Sequence, residues 1–176
     1  MDSLARMQIE HACARLIKVY CNSIDAHDVD RLIGVFAKDA VWQRPGNPPV
    51  KGQAAIKEFV EHHGAGETSA HYVTNIVVDV EDVDHASSKG YPLILRGSGS
   101  AATGPLPMSL PRLVVHYQHK FIRNGGAWYI KYKQTRWIFR QSGPARISAI
   151  LSPCNWIKEA VLLYYTVSAE RRPLFP

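Results

Sequence analysis

The apolar residues of this chain change period once, near residue 66. Before that point they recur every three to four positions, and after it they alternate. Helices followed by a run of strands build an α+β domain, because a doubly wound parallel sheet needs the two periods interleaved. The order of patterns therefore restricts the fold before any single residue is considered.

Within the first part, Ile9, Cys13, Leu16, Ile17, Tyr20 and Ile24 form the stripe of one long amphipathic helix running from Ala5 to Ile24. "DAHDVDRLIGVFAKDA" offers Asp28 as the N-cap of a second, short helix with Leu32, Val35 and Phe36 on one face. "AVWQRPG" reads as a short strand stopped by Pro45, "GNPPVKG" as a loop, and "GQAAIKEFVEHH" as a third helix ending near Gly64 and Gly66. In the second part, "HYVTNIVVDV", "GYPLILRGS", "RLVVHYQHKFIR" and "AWYIKYKQTRWIFR" are strands of an antiparallel sheet. The last two are joined by "NGG", a tight-turn signal. "GSGSAATGPLPMSLP" is too rich in Gly, Pro and Ser for a strand and predicts a mobile loop able to serve as a lid.

A chain of 176 residues is the size of one domain with one core. Its apolar runs fall well short of the roughly 20 residues of a membrane span, and no secretory signal precedes the first helix, so the expectation is a cytoplasmic protein without a membrane partner. Cys13, Cys21 and Cys154 lack zinc or disulfide spacing and are expected to be reduced, mostly buried thiols. The net charge of +6 is unevenly placed: residues 1–88 hold 8 Lys/Arg against 13 Asp/Glu, and residues 89–176 hold 13 against 2. No nucleic-acid motif accompanies that basic half, so no nucleic-acid partner is expected, and an anionic ligand or acidic subunit fits the charge equally well. Residues 142–176 carry an apolar segment, "NWIKEAVLLYYTV", which is expected to dock on the domain of residues 1–141 or on a neighbouring subunit. Aromatic residues on the convex side of the sheet point to a homodimer or homotrimer.

The order of elements, together with "DAHDVDRLIGVFAKDAVW", "GQAAIKEF", "HYVTNIVVDVEDVDHA" and "NGGAWYI", resembles the SnoaL-like branch of the NTF2-like superfamily over residues 5 to about 140. The resemblance implies a cone in which three helices pack on a strongly bent antiparallel or mixed sheet around a deep pocket. Dehydratases and dehydrochlorinases of that branch carry a catalytic Asp at the end of the first helix and a catalytic His at the start of the first long strand. Those positions match Asp25 and His71 here, and Tyr20 falls where related dehydratases place a tyrosine. The implied activity is a cofactor-free lyase or isomerase of the dehydratase, dehydrohalogenase or cyclase type, acting on an apolar small molecule. A non-catalytic small-molecule-binding or scaffold subunit is the alternative.

The pair has its own physical logic. A histidine can accept a proton at neutral pH, and a carboxylate on its other nitrogen fixes the tautomer and stabilises the imidazolium. On the residues alone other readings stand: Asp25 could cap the next helix beside Asp28, and His71 could be a hydrogen-bonded structural residue. Strict alternation puts Asn75 on the side of His71, lining the pocket or bonding nearby backbone. Trp42 and Tyr117 are candidates for the pocket wall. His119 shares the apolar face of its strand, as a second proton-transfer candidate or a buried structural histidine, while His116 faces the other way. His62 and His63 suit a helix C-terminus. No metal site is expected, because the histidines and carboxylates lack ligand spacing.

Overall fold

The computed structural model describes residues 1–62, 66–99, 101, 104–106 and 113–140. The 142–176 extension, Cys154, His63 and most of the predicted lid loop lie outside the described residues.

The long first helix, α1 (Ser3–Asp25), buries Ile9, Cys13, Ile17, Tyr20 and Cys21 along the predicted stripe, with Asp2 as its N-cap. The short α2 (Val29–Gly34) starts as expected, with the Asp28 carboxylate accepting from the Arg31 amide at 3.1 Å. Strand β1 (Phe36–Gln43) follows, then the two-residue β2 (Val50–Lys51) inside the segment read as loop, then α3 (Gln53–His62). His62 Nδ1 lies 2.7 Å from the Glu58 carbonyl at the end of α3. Four long strands complete the domain: β3 (Glu67–Val80), β4 (His85–Ser98), β5 (Leu113–Asn124) and β6 (Ala127–Arg140).

They form one six-stranded sheet in the order β2-β1-β6-β5-β4-β3. All neighbours are antiparallel except β1 and β6, which pair in parallel, so the sheet is mixed. Gly125 and Gly126, at φ 57° and 82°, form the β5–β6 turn between the paired Asn124 and Ala127. Two successive residues at positive φ are what a tight hairpin with the twist of its strands demands, and glycine supplies them without strain.

Register shifts interrupt three of the strand pairs, β1–β6, β3–β4 and β5–β6. An extra residue on one strand bends it and increases its twist, which curls the sheet. The concave face holds Phe36, Val115, Tyr117, Phe121 and Ile130, all buried together with the apolar stripe of α1. Burying a side chain such as Ile17 or Phe36 contributes about 1.5–3 kcal/mol. Cys13 and Cys21 are buried free thiols, and desolvation pushes both up to about 12. Among the described residues, no helix is long and apolar enough to cross a membrane.

Candidate active site

A cavity of about 670 Å³ opens between α1, α3 and the concave face of the sheet. Its wall is largely aromatic: Tyr20, Trp42, Phe59, Tyr117 and Trp137 line it. Tyr20 stands edge-on to Phe36, Trp42 and Tyr117, with ring centroids 5.9, 6.0 and 6.3 Å away, an arrangement that packs rings without stacking them flat. Burial pushes the phenols of Tyr20 and Tyr117 above their ordinary range, so both hydroxyls keep their protons.

His71 reaches this cavity from the start of β3, and Asp25 meets it from the last residue of α1. Asp25 Oδ1 lies 2.6 Å from His71 Nδ1 and accepts from Ser69 Oγ at 2.7 Å, while Oδ2 accepts from the His71 backbone amide at 2.7 Å. Ser69 and His71 are two residues apart on β3 and so project to one side of it, which lets a single carboxylate bind both. Burial alone would raise the pKa of Asp25, but hydrogen bonds from His71 and Ser69 outweigh it and the carboxyl is held below its ordinary value. An ionised carboxylate only accepts, so Nδ1 carries a proton, and in the neutral form of the ring Nε2 is the acceptor. The His71 side chain is 2% exposed, and its Nε2 has no partner among the described residues. The alternative role for Asp25 fails on geometry, since the cap of α2 is Asp28.

Of the candidate residues, Tyr20, Trp42 and Tyr117 line the cavity, and Asn75 and His119 do not. Asn75 is exposed and sits at φ 54° where the β3–β4 register slips between Thr74 and Val77. A residue in the left-handed region at a bulge breaks the alternation, so the strand's covered side passes from 71 and 73 to 76 and 78. Asparagine is one of the few non-glycine residues that tolerates this conformation, which accounts for its presence there. His119 does face inward, but one pleat beyond Tyr117. It is 2% exposed, with Nδ1 3.1 Å from Ser88 Oγ and its ring 5.7 Å from those of Tyr117 and Phe121. Desolvation, reinforced by Lys133, holds its pKa well below the usual imidazole value, so it stays neutral in the core. His116 packs against Tyr91 at 4.9 Å, away from the cavity.

The residue that sequence reading missed is Lys133. It is fully buried, and its ammonium donates to Thr135 Oγ1 at 3.1 Å, with the faces of Tyr117, Tyr20 and Trp42 at 3.4, 4.6 and 5.5 Å. No carboxylate pairs with it among the described residues. Desolvation pulls its pKa down to about 7, with Cys21 acting weakly in the opposite sense. Thr135 lines the cavity, so the lysine sits directly behind the wall. Plain alternation from Ile130 points Lys133 outward. The bulge near Lys131, where Lys120 pairs with Tyr132 but Phe121 pairs with Ile130, turns it inward.

Among the described residues, no group of three His, Cys, Asp or Glu side chains converges as a metal site would require. The site that remains is an apolar cavity with an oriented imidazole on one wall and a buried amine behind another.

That combination of curled mixed sheet, three helices and a cavity between them is the NTF2-like architecture. A family model described as SnoaL-like domain matches residues 5–134, and the chain belongs to that family. No curated protein matches the sequence. Several solved structures share the fold. The LinA-type3 hexachlorocyclohexane dehydrochlorinase of Novosphingobium barchaimii is 20% identical with a TM-score of 0.68, over 83% of this chain and 97% of that one. A Novosphingobium aromaticivorans protein provisionally described as a scytalone dehydratase is 19% identical with a TM-score of 0.69, over 82% and 94%. A variant of a Mycobacterium tuberculosis protein of unknown function is 23% identical with a TM-score of 0.65, over 78% and 76%. At such identities these likenesses speak for the fold alone.

Proposed function

We propose that this domain is a cofactor-free lyase or isomerase in which His71 is the general base, oriented by Asp25, acting on a small and mostly apolar molecule. The observation that carries the reading is the 2.6 Å contact between Asp25 Oδ1 and His71 Nδ1 on the wall of the cavity. With Nδ1–H donated to the carboxylate, Nε2 takes a proton from a carbon adjacent to a leaving group. The C–H electron pair becomes a new C=C bond, and the leaving group departs with its own bonding pair. Returning the proton to another carbon instead gives an isomerisation. Asp25 stabilises the imidazolium formed in the step, and Lys133 acting through Thr135 supplies a proton to the departing group.

The test is turnover of hydroxylated and halogenated cyclic substrates by wild type, His71→Ala and Asp25→Asn. Positioned general base catalysis contributes about 10²–10⁴-fold, and losses of that order are expected for H71A, with a smaller loss for D25N. Unchanged turnover in both variants would sink the dyad mechanism, and no turnover of any of these substrates by wild type would leave the cavity as a binding site.

A further inference from the structure

Arg44 is the cavity residue whose charge the domain leaves unanswered. It follows Gln43, the last residue of β1, and its guanidinium carbon lies 3.6 Å from the centre of the Phe59 ring and 5.8 Å from that of Trp42. Arg44, Trp42 and Phe59 all line the cavity. A guanidinium carries five N–H donors and accepts nothing. None of these donors finds an acceptor among the described residues, and the Nε is buried without a partner. Trp42 Nε1, two residues earlier in the chain and on the same cavity wall, is buried and unpartnered as well.

The other charged groups of the cavity wall each have a counter-charge within 4.0 Å: Glu67 lies 3.6 Å from Arg96, and Glu61 lies 4.0 Å from Lys57, whose ammonium donates to Asp30 at 2.8 Å. Buried polar groups are nearly always satisfied, so a guanidinium with a buried, orphaned Nε beside the orphaned Nε1 of Trp42 leaves a place for an acceptor. The chain around Arg44 is tied by side-chain hydrogen bonds to its backbone carbonyls. Gln43 Nε2 donates to the carbonyls of Arg44 and Asn47, both at 3.0 Å, and Asn47 Nδ2 donates to the Pro45 carbonyl at 2.9 Å. Desolvation lowers the pKa of Arg44, which marks an uncompensated cost that an anion would relieve.

We infer that Arg44 is the specificity-determining residue of this cavity and that the cognate ligand carries a carboxylate on an apolar, ring-sized body. A guanidinium meets a carboxylate through two parallel N–H···O bonds, which fixes orientation as well as charge. The aromatic wall accepts the apolar body. Arg44 and His71 both line the cavity, so a ligand anchored at Arg44 occupies the space that His71 also borders. The inference rests on the cavity being the substrate site, and it names which substrates belong there.

The experiment is calorimetric titration of the full chain with 2-naphthoate and with its neutral analogue 2-naphthamide. Wild type is expected to bind the carboxylate at least tenfold tighter. Arg44→Met should abolish that preference while leaving 2-naphthamide affinity unchanged, which also reports that the variant is folded. Arg44→Lys should keep part of the preference, because the charge remains but the fork is lost. Equal affinities in wild type, no binding of either probe at millimolar concentration, or a preference that survives in R44M would each overturn the proposal. A preference abolished by H71A rather than R44M would also overturn it, by placing the anion on the imidazole. Turnover by the dyad variants is a separate readout, so either reading can fail without the other.

Discussion

Lys133→Met removes the buried amine while keeping a chain of similar length, and its effect on stability is set by where the lysine titrates. The ordinary value of 10.5 falls to about 7 in the folded protein. At 1.36 kcal/mol per pH unit that fall corresponds to about 5 kcal/mol of penalty for carrying the buried charge. The sign follows from proton counting. Between pH 7 and 10.5 the unfolded chain holds a proton on Lys133 that the folded protein has released, so wild-type stability rises with pH across that window. Below pH 7 both states are protonated and the full penalty applies. The methionine variant lacks this dependence. Urea unfolding of both proteins at pH 7 and pH 9 should show K133M the more stable at pH 7, with its advantage shrinking by about 2 kcal/mol at pH 9. The cation–π contacts with Tyr117, Tyr20 and Trp42 favour the ammonium by about 1–2 kcal/mol and narrow the gap without reversing it. A difference between the two proteins that does not change with pH would refute the claim that Lys133 is desolvated and unpaired.

Other outcomes follow from the same geometry. Asp25 has a depressed folded pKa, so the stability it contributes is fully present above the ordinary carboxylate range and disappears as pH falls through the folded value. Acid titration of D25N followed by circular dichroism should therefore be less steep below about pH 4 than that of wild type. Asn75→Val forces a β-branched residue into the left-handed region and is expected to cost about 1–2 kcal/mol in urea unfolding. Asn75→Gly should lie close to wild type, and a neutral N75V would show that the bulge does not hold the backbone there.

How much of this was legible in the sequence depended on where alternation was preserved. The stripe on α1, the Asp28 cap and the NGG turn rest on local interactions, and each appeared where the residues placed it. Trp42 and Tyr117 were candidates for the wall on their aromatic bulk alone, and both line the cavity. Asn75 and Lys133 were misplaced or missed for one reason: a single inserted residue upstream of or at each position inverted the face. A bulge depends on the pairing partner, and a strand read by itself carries no record of it. Arg44 went unremarked because an unpaired charge becomes visible only once every possible partner has been located.

The sequence by itself determined the fold class and the elements that bring a carboxylate and an imidazole to the ends of a helix and a strand, since periodicity, caps and turns act over a few residues. Only the tertiary structure decided that Asp25 and His71, 46 residues apart, close to 2.6 Å, that Lys133 lies buried behind the wall, and that Arg44 stands unanswered beside Phe59. Those outcomes depend on how a curled sheet folds back on a helix, and the distance between residues remote in the chain is set by the sum of every bend between them.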